Sequence, residues 1–172
     1  MSEIITGRSD IALIRMHHGI RVMCEVIAAD KPFSTGIWSS DLDTLITEQT
    51  EECEIEPGKC LASGNHRHPC GTAGCAVGWM AQDPWHNRQG LRLGIDEDGT
   101  LQPFCRNYEN RILAGWTAVE AYFQISGKEA RSLFGYATET GEDTACAVLA
   151  RMLAFFGPAM KRHLDARSDS PF

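Results

Sequence analysis

Asp10-Ile-Ala-Leu-Ile-Arg-Met-His-His-Gly-Ile-Arg-Val-Met-Cys-Glu-Val-Ile-Ala-Ala-Asp-Lys-Pro32 is the stretch that sets the class of fold. Leu13, Met16, Ile20, Met23 and Ile27 recur at alternating spacings of three and four, which places them along one face of an α-helix. Ser9 or Asp10 is the candidate N-cap. Asp30-Lys31-Pro32 closes the segment, because proline lacks a donor and restricts the residue before it. Gly19 falls inside the stripe at a cost of about 1 kcal/mol relative to alanine, so a kink or a close approach is expected there. His17-His18 lies beside the stripe; one of the two is expected at the helix boundary with its polar needs met, and neither has an evident metal partner.

Helical patterning continues along most of the chain. Phe33, Ile37 and Trp38 form an apolar connection that is expected to plug the core. Ser40-x-x-Asp43 resembles a capping box ahead of a short helix bearing Leu42, Leu45 and Ile46. Thr72 caps a predicted helix through Gln82, carrying Ala73, Cys75, Ala76, Trp79 and Met80, and Asp83-Pro84 stops it. Residues 91–104 read as a β-hairpin around a turn at Asp96-Glu97-Asp98-Gly99. Trp116, Ala118, Val119, Tyr122 and Phe123 mark a further helix. Ser126-x-x-Glu129 caps the next, with Ala130, Leu133 and Phe134. Thr140-x-x-Asp143 caps the longest, with Ala145, Val148, Leu149, Met152, Phe155 and Phe156 on one face. Gly157-Pro158 predicts its stop, with a final turn or two over 158–166. The expected fold is mainly α: one compact helical domain over 1–166, of five to seven short helices, a small surface hairpin at about 91–104, and a frayed tail at 167–172.

The 172 residues suit one domain, which at that length folds without disulfides or metal. No apolar run approaches the ~18 residues that span a bilayer, and Met1-Ser2-Glu3 begins no signal peptide, so membrane insertion and export are not expected. Sixteen Lys+Arg against 23 Asp+Glu give a net charge of -7. That balance argues against nucleic acid as a partner, since phosphate binding needs a basic face. From Pro32 through Gly58 there is no Lys or Arg, while Asp41, Asp43, Glu48, Glu51, Glu52, Glu54 and Glu56 supply seven acids, equal to the whole net charge. Such a run is either a solvated face or a surface that docks a protein partner with a basic face.

Seven cysteines, an odd number, fit a reducing cytoplasm better than a disulfide framework. Cys24 and Cys146 lie within helical patterns and are expected to be small buried groups. Cys53, Cys60, Cys70, Cys75 and Cys105 fall where loops dominate. Cys70-Gly71-Thr72-Ala73-Gly74-Cys75-Ala76-Val77-Gly78-Trp79-Met80 resembles the Cys-Gly-Thr-x-x-Cys-x-x-Gly-Trp/His signature of a family of small uncharacterised proteins encoded in bacterial, plasmid and phage genomes. The similarity runs over most of residues 11–157, including Val26 to Trp38, Ala130 to Phe134 and the helix of 144–156. The His- and Cys-bearing loop before Cys70 is longer than in that pattern. The resemblance implies an accessory protein from mobile DNA, with inhibition of a host system as one role, and it names no reaction.

Physically the motif is a loop-to-helix junction. Gly74, Ala76 and Gly78 leave room for a neighbour, Trp79 seals the contact, and Cys75 is expected as a small buried group with no catalytic or cofactor role. Two alternatives stay open. Cys75 in the first helical turn is a candidate nucleophile, with His66, His68 or His86 as base. Cys60, His66, His68 and Cys70 are candidate ligands of a structural zinc, though no Cys-x2-Cys knuckle is present. The sequence assigns no oligomeric state.

Overall fold

In a computed structural model of the chain, residues 9–33, 75–95, 101–107, 109–135 and 144–168 are described. Helix α1 (Asp10–Ala28) and helix α6 (Ala145–Ser168) form the longest pair and pack against each other. Between them in sequence come α2 (Ala76–Gln82), α3 (Pro84–Arg88), strands β1 (Arg92–Ile95), β2 (Leu101–Arg106) and β3 (Ile112–Ala114), then α4 (Gly115–Phe123) and α5 (Gly127–Phe134). The architecture is mainly α, with six helices among the described residues and one small antiparallel sheet of order β1-β2-β3. No helix among the described residues is long and apolar enough to cross a membrane.

The α1 stripe holds, with one shift. Leu13, Met16 and Met23 are buried as expected, joined by Ala12, Gly19, Val22 and Val26, whereas Ile20 and Ile27 sit at the edge. Gly19 is the point of closest approach: a Cβ there would lie 2.9 Å from Met80 Sδ and 3.5 Å from Met152 Cε. The glycine thus lets α2 and α6 close on α1 without a side chain between them. Ser9 precedes the helix, but its hydroxyl donates to Gln124 Oε1 at 2.7 Å instead of capping α1. At the far end Asp30 takes a left-handed backbone (φ 48°), and Lys31 Nζ lies 4.9 Å above the Trp79 ring. Trp79 Nε1 donates to Pro32 O at 3.3 Å, so the exit from α1 is tied to α2. Phe33 packs on the core; Ile37, Trp38 and the predicted helix after Ser40 lie outside the described residues.

The hairpin is present but is not the whole sheet. β1 and β2 pair from Arg92↔Phe104 to Ile95↔Leu101, and β3 extends the sheet from Phe104↔Ala114 to Arg106↔Ile112. Asn107 makes the second turn: its Oδ1 accepts from the amides of Glu109 and Arg111 at 3.0 and 2.9 Å. Gly115 follows with φ 58°, a conformation that favours glycine, and a Cβ would meet Gln102 Oε1 at 2.7 Å. Leu93, Leu101 and Cys105 face the core.

Helix boundaries follow expectation at the start of α5 and depart from it at Asp83-Pro84 and Gly157-Pro158. Asp83-Pro84 ends α2 but also starts α3: Asp83 Oδ1 accepts from the amides of Trp85 and His86 at 2.9 and 3.1 Å, and Pro84 occupies the first turn, where its missing N–H costs nothing. The α5 capping box forms as read, with the Ser126 amide donating to Glu129 Oε2 at 2.7 Å and Ser126 Oγ accepting from the Glu129 amide at 3.3 Å. Thr144 caps α6, its Oγ1 accepting from the Ala147 amide at 3.2 Å; Thr140 and Asp143 lie outside the described residues. The stop expected at Gly157-Pro158 does not occur, and α6 runs on to Ser168 with Pro158 inside it. Tertiary packing overrides the local signal, since Ala159 is buried, Met160 packs on the core, and His163 Nδ1 lies 3.3 Å from Asp10 Oδ1.

Cys24 and Cys146 are exposed, not buried. Cys24 follows Met23 and is turned about 100° off the α1 stripe. Cys146 lies in the first turn of α6, before Val148, Met152 and Phe156 enter the core. That core centres on Phe123, Phe134 and Phe156, with Met16, Met23, Met80 and Met152 filling between them.

Candidate functional site

Cys75 is the N-cap of α2, three residues later than the cap predicted at Thr72, which lies outside the described residues. Its sulfur takes the role expected of the threonine hydroxyl, accepting from the Gly78 amide at 3.4 Å. The residue is 1% exposed. Burial pushes the thiol up to about 11, outweighing the opposite pull of the amides of Gly78 and Val77. At neutral pH the sulfur is therefore a protonated, enclosed cap. Attack by a cysteine needs thiolate and access, and both are low here.

His86 is fully buried, and no hydrogen bond joins it to Cys75. Its Nδ1 lies 2.8 Å from the Tyr122 hydroxyl. The ring meets Trp85 edge-on at 5.0 Å and packs near Phe123. Burial lowers its pKa to about 4; Asp83 opposes the shift, and His18, Arg21 and Arg15 add to it. Burial also raises Tyr122 well above the ordinary phenol range. Both groups are neutral at physiological pH. His86 is thus a structural hydrogen-bonding group in the form in which it stands, and a weak base.

Around this pair lies a wider polar network. Arg15 Nη1 donates to Tyr122 O at 2.8 Å and Nη2 to Gln89 O at 3.4 Å, while the guanidinium carbon stands 4.2 Å from the Tyr122 ring centroid. One turn on, His18 stacks flat on Trp85, 3.7 Å between centroids and 7° between planes. Burial, with Arg21 and His17 nearby, lowers the His18 pKa. Arg21 Nη2 reaches Asp83 Oδ2 at 3.8 Å. Arg15, His18 and Arg21 come from α1, Asp83, Trp85 and His86 from the α2–α3 corner, and Tyr122 from α4. The sequence offers His86 as one alternative base for Cys75 and sets His17-His18 beside the stripe. It did not mark Arg15, Trp85 or Tyr122 as members of a site. The one local signal is a cation and an imidazole three apart at the border of the α1 stripe.

The remaining candidates, His66, His68, Cys53, Cys60 and Cys70, lie outside the described residues, and with them the zinc set Cys60, His66, His68 and Cys70. Among the described residues no group of three or more His, Cys, Asp or Glu side chains is placed to hold a metal ion. No protein-family model, curated protein or solved structure matches the chain.

Proposed function

We propose that this chain is an accessory protein of the kind carried on phage or plasmid DNA and that it works by binding a protein partner through its acidic stretch, Asp41 to Glu56. Charge separation carries this proposal. The described residues hold 13 Lys+Arg and 8 Asp+Glu, a balance of +5. Since the whole chain carries -7, the remaining segments carry -12, and seven of their acids lie between residues 41 and 56. A concentrated field of one sign on a chain whose body has the other sign steers and orients a complementary partner. Supporting it, the thiol of the Cys-Gly-Thr motif is enclosed and protonated, as suits a packing role. The partner presents a basic surface, and inhibition of a host system is one outcome such binding can have.

Affinity purification from the native host, with the wild type and a Glu51→Gln, Glu52→Gln, Glu54→Gln, Glu56→Gln variant, tests this directly. The variant should recover less of the partner, and added salt should weaken recovery by the wild type, since exposed charges are screened over ~10 Å at 0.1 M salt. Equal recovery by both proteins at low salt would overturn the proposal.

A further inference from the structure

Among the described residues, four buried side-chain nitrogens have no hydrogen-bond partner: Arg15 Nε, His18 Nδ1, Gln82 Nε2 and His86 Nε2. Arg15, His18 and His86 belong to the network around Tyr122 and Trp85, and Gln82 directly precedes Asp83. None of the four is an oxygen. The arginine Nε–H and the amide NH2 only donate, and an imidazole nitrogen donates when it carries the proton. When His86 Nδ1 accepts the Tyr122 hydroxyl proton, Nε2 carries a hydrogen and joins the donors. In that tautomer the corner between α1 and the α2–α3 turn holds two spare donors, Arg15 Nε and His86 Nε2, and His18 Nδ1 is a third when it is the protonated nitrogen of its ring. Buried polar groups are rarely left so, and several together call for an acceptor they share.

Charge points the same way. Arg15 is bonded only to carbonyl oxygens, and among the described residues no carboxylate pairs with it. Asp83, the acid that faces this corner, already accepts from two amides and lies beside Arg21. Arg21 has a carboxylate on either side, Glu25 Oε1 at 3.5 Å and Asp83 Oδ2 at 3.8 Å, which leaves Arg15 as the guanidinium of this corner without one among the described residues. A half-buried guanidinium with a free N–H and no counter-ion is a strong partner for an oxyanion.

We propose that this corner binds a small oxyanion, a carboxylate or phosphate group, with Arg15 Nε and the free nitrogens of His18 and His86 as donors. The Trp85 ring, stacked on His18 and edge-on to His86, holds both imidazoles in place for it.

The test uses the full chain, with inorganic phosphate and acetate as separate probes, each compared with chloride at equal ionic strength. Thermal unfolding and side-chain imidazole NMR are read together. At least one probe should raise Tm in a saturating manner and move the His18 and His86 ring resonances more than those of His17 and His163. A response to phosphate alone assigns a phosphate group, and a response to acetate assigns a carboxylate. Arg15→Gln should weaken the apparent affinity by about tenfold or more, the scale of one lost charge-assisted hydrogen bond. Should that variant not fold, His18→Phe, which keeps an aromatic ring on Trp85, takes its place, and the wild-type ring resonances stand without either. Silence from both probes would leave these donors to buried water and overturn the proposal. So would a rise in Tm that leaves the two rings unmoved, or one undiminished in the variants.

Discussion

Acidification should destabilise this protein through His86 in a defined window. In the unfolded chain the imidazole titrates near its ordinary value of 6.5; in the folded protein burial holds it near 4. Above 6.5 both states are neutral and the contribution is fully present. Between 6.5 and about 4 the unfolded state binds a proton that the folded state refuses, so stability falls with pH. Below about 4 both states are protonated and the loss is complete. At about 1.4 kcal/mol per tenfold in proton affinity, the drop from 6.5 to about 4 is worth about 3 kcal/mol. His18, also lowered by burial, acts with the same sign. Urea unfolding across this window should be compared between the wild type and His86→Phe, which lacks the titrating ring. The variant starts lower, because the Tyr122 hydroxyl loses its partner, and the gap between the two proteins should narrow by about 3 kcal/mol as pH falls. Groups that do not interact with His86 contribute equally to both proteins and drop out of the difference. A constant gap would refute the reasoning, as would an NMR titration placing the His86 midpoint at or above 6.5.

Replacing Gly157 and Pro158 with alanine should stabilise α6, because Pro158 is exposed and a Cβ at Gly157 meets nothing within 4 Å; helix propensity puts the gain at about 1 kcal/mol for the glycine and up to about 3 for the proline, read as a rise in Tm. Gly19→Leu should lower Tm, since overpacking against Met80 and Met152 costs about 1–3 kcal/mol and the propensity gain returns only about 1. Iodoacetamide on the native protein at neutral pH should modify Cys24 and Cys146 promptly and Cys75 only on unfolding, as peptide mass mapping would read; prompt modification of Cys75 would contradict its enclosure.

Where a feature is local, the sequence was legible. The spacing of Leu13, Met16 and Met23 set α1, and Ser126 with Glu129 set the start of α5, because each depends on residues within one or two turns. Features that need a distant neighbour were not. Pro158 reads as a stop in any short window; Ala159 and Met160 against the core carry the helix through it. β3 has three residues and acquires strand character by pairing with β2, so no alternation announces it. Proline punctuates both ends and beginnings, and Asp83-Pro84 does both at once. His86 and Tyr122 are 36 residues apart, and no spacing rule links them.

The same distinction bears on why the buried polar corner exists. At many points local and long-range preferences agree: Asp83 and Ser126 cap where helices start, apolar stripes face inward, and Gly19 stands where helices approach, with Pro158 inside α6 an exception on which packing prevails. At Arg15, His18 and His86 they disagree. At the border of the α1 stripe stand a cation and an imidazole, and facing them a fully buried ring keeps a nitrogen without a partner among the described residues. An unmet buried donor costs about 1–3 kcal/mol, whereas apolar side chains of similar shape at both ends of such a contact are close to neutral. Packing alone would favour the apolar solution. Folding thus has a cheaper answer at this corner than the one present, and such departures concentrate where a protein meets something other than itself. The oxyanion proposed for the α1/α2–α3 corner would supply the partner that these donors lack, whereas the motif sulfur already has its own in the Gly78 amide.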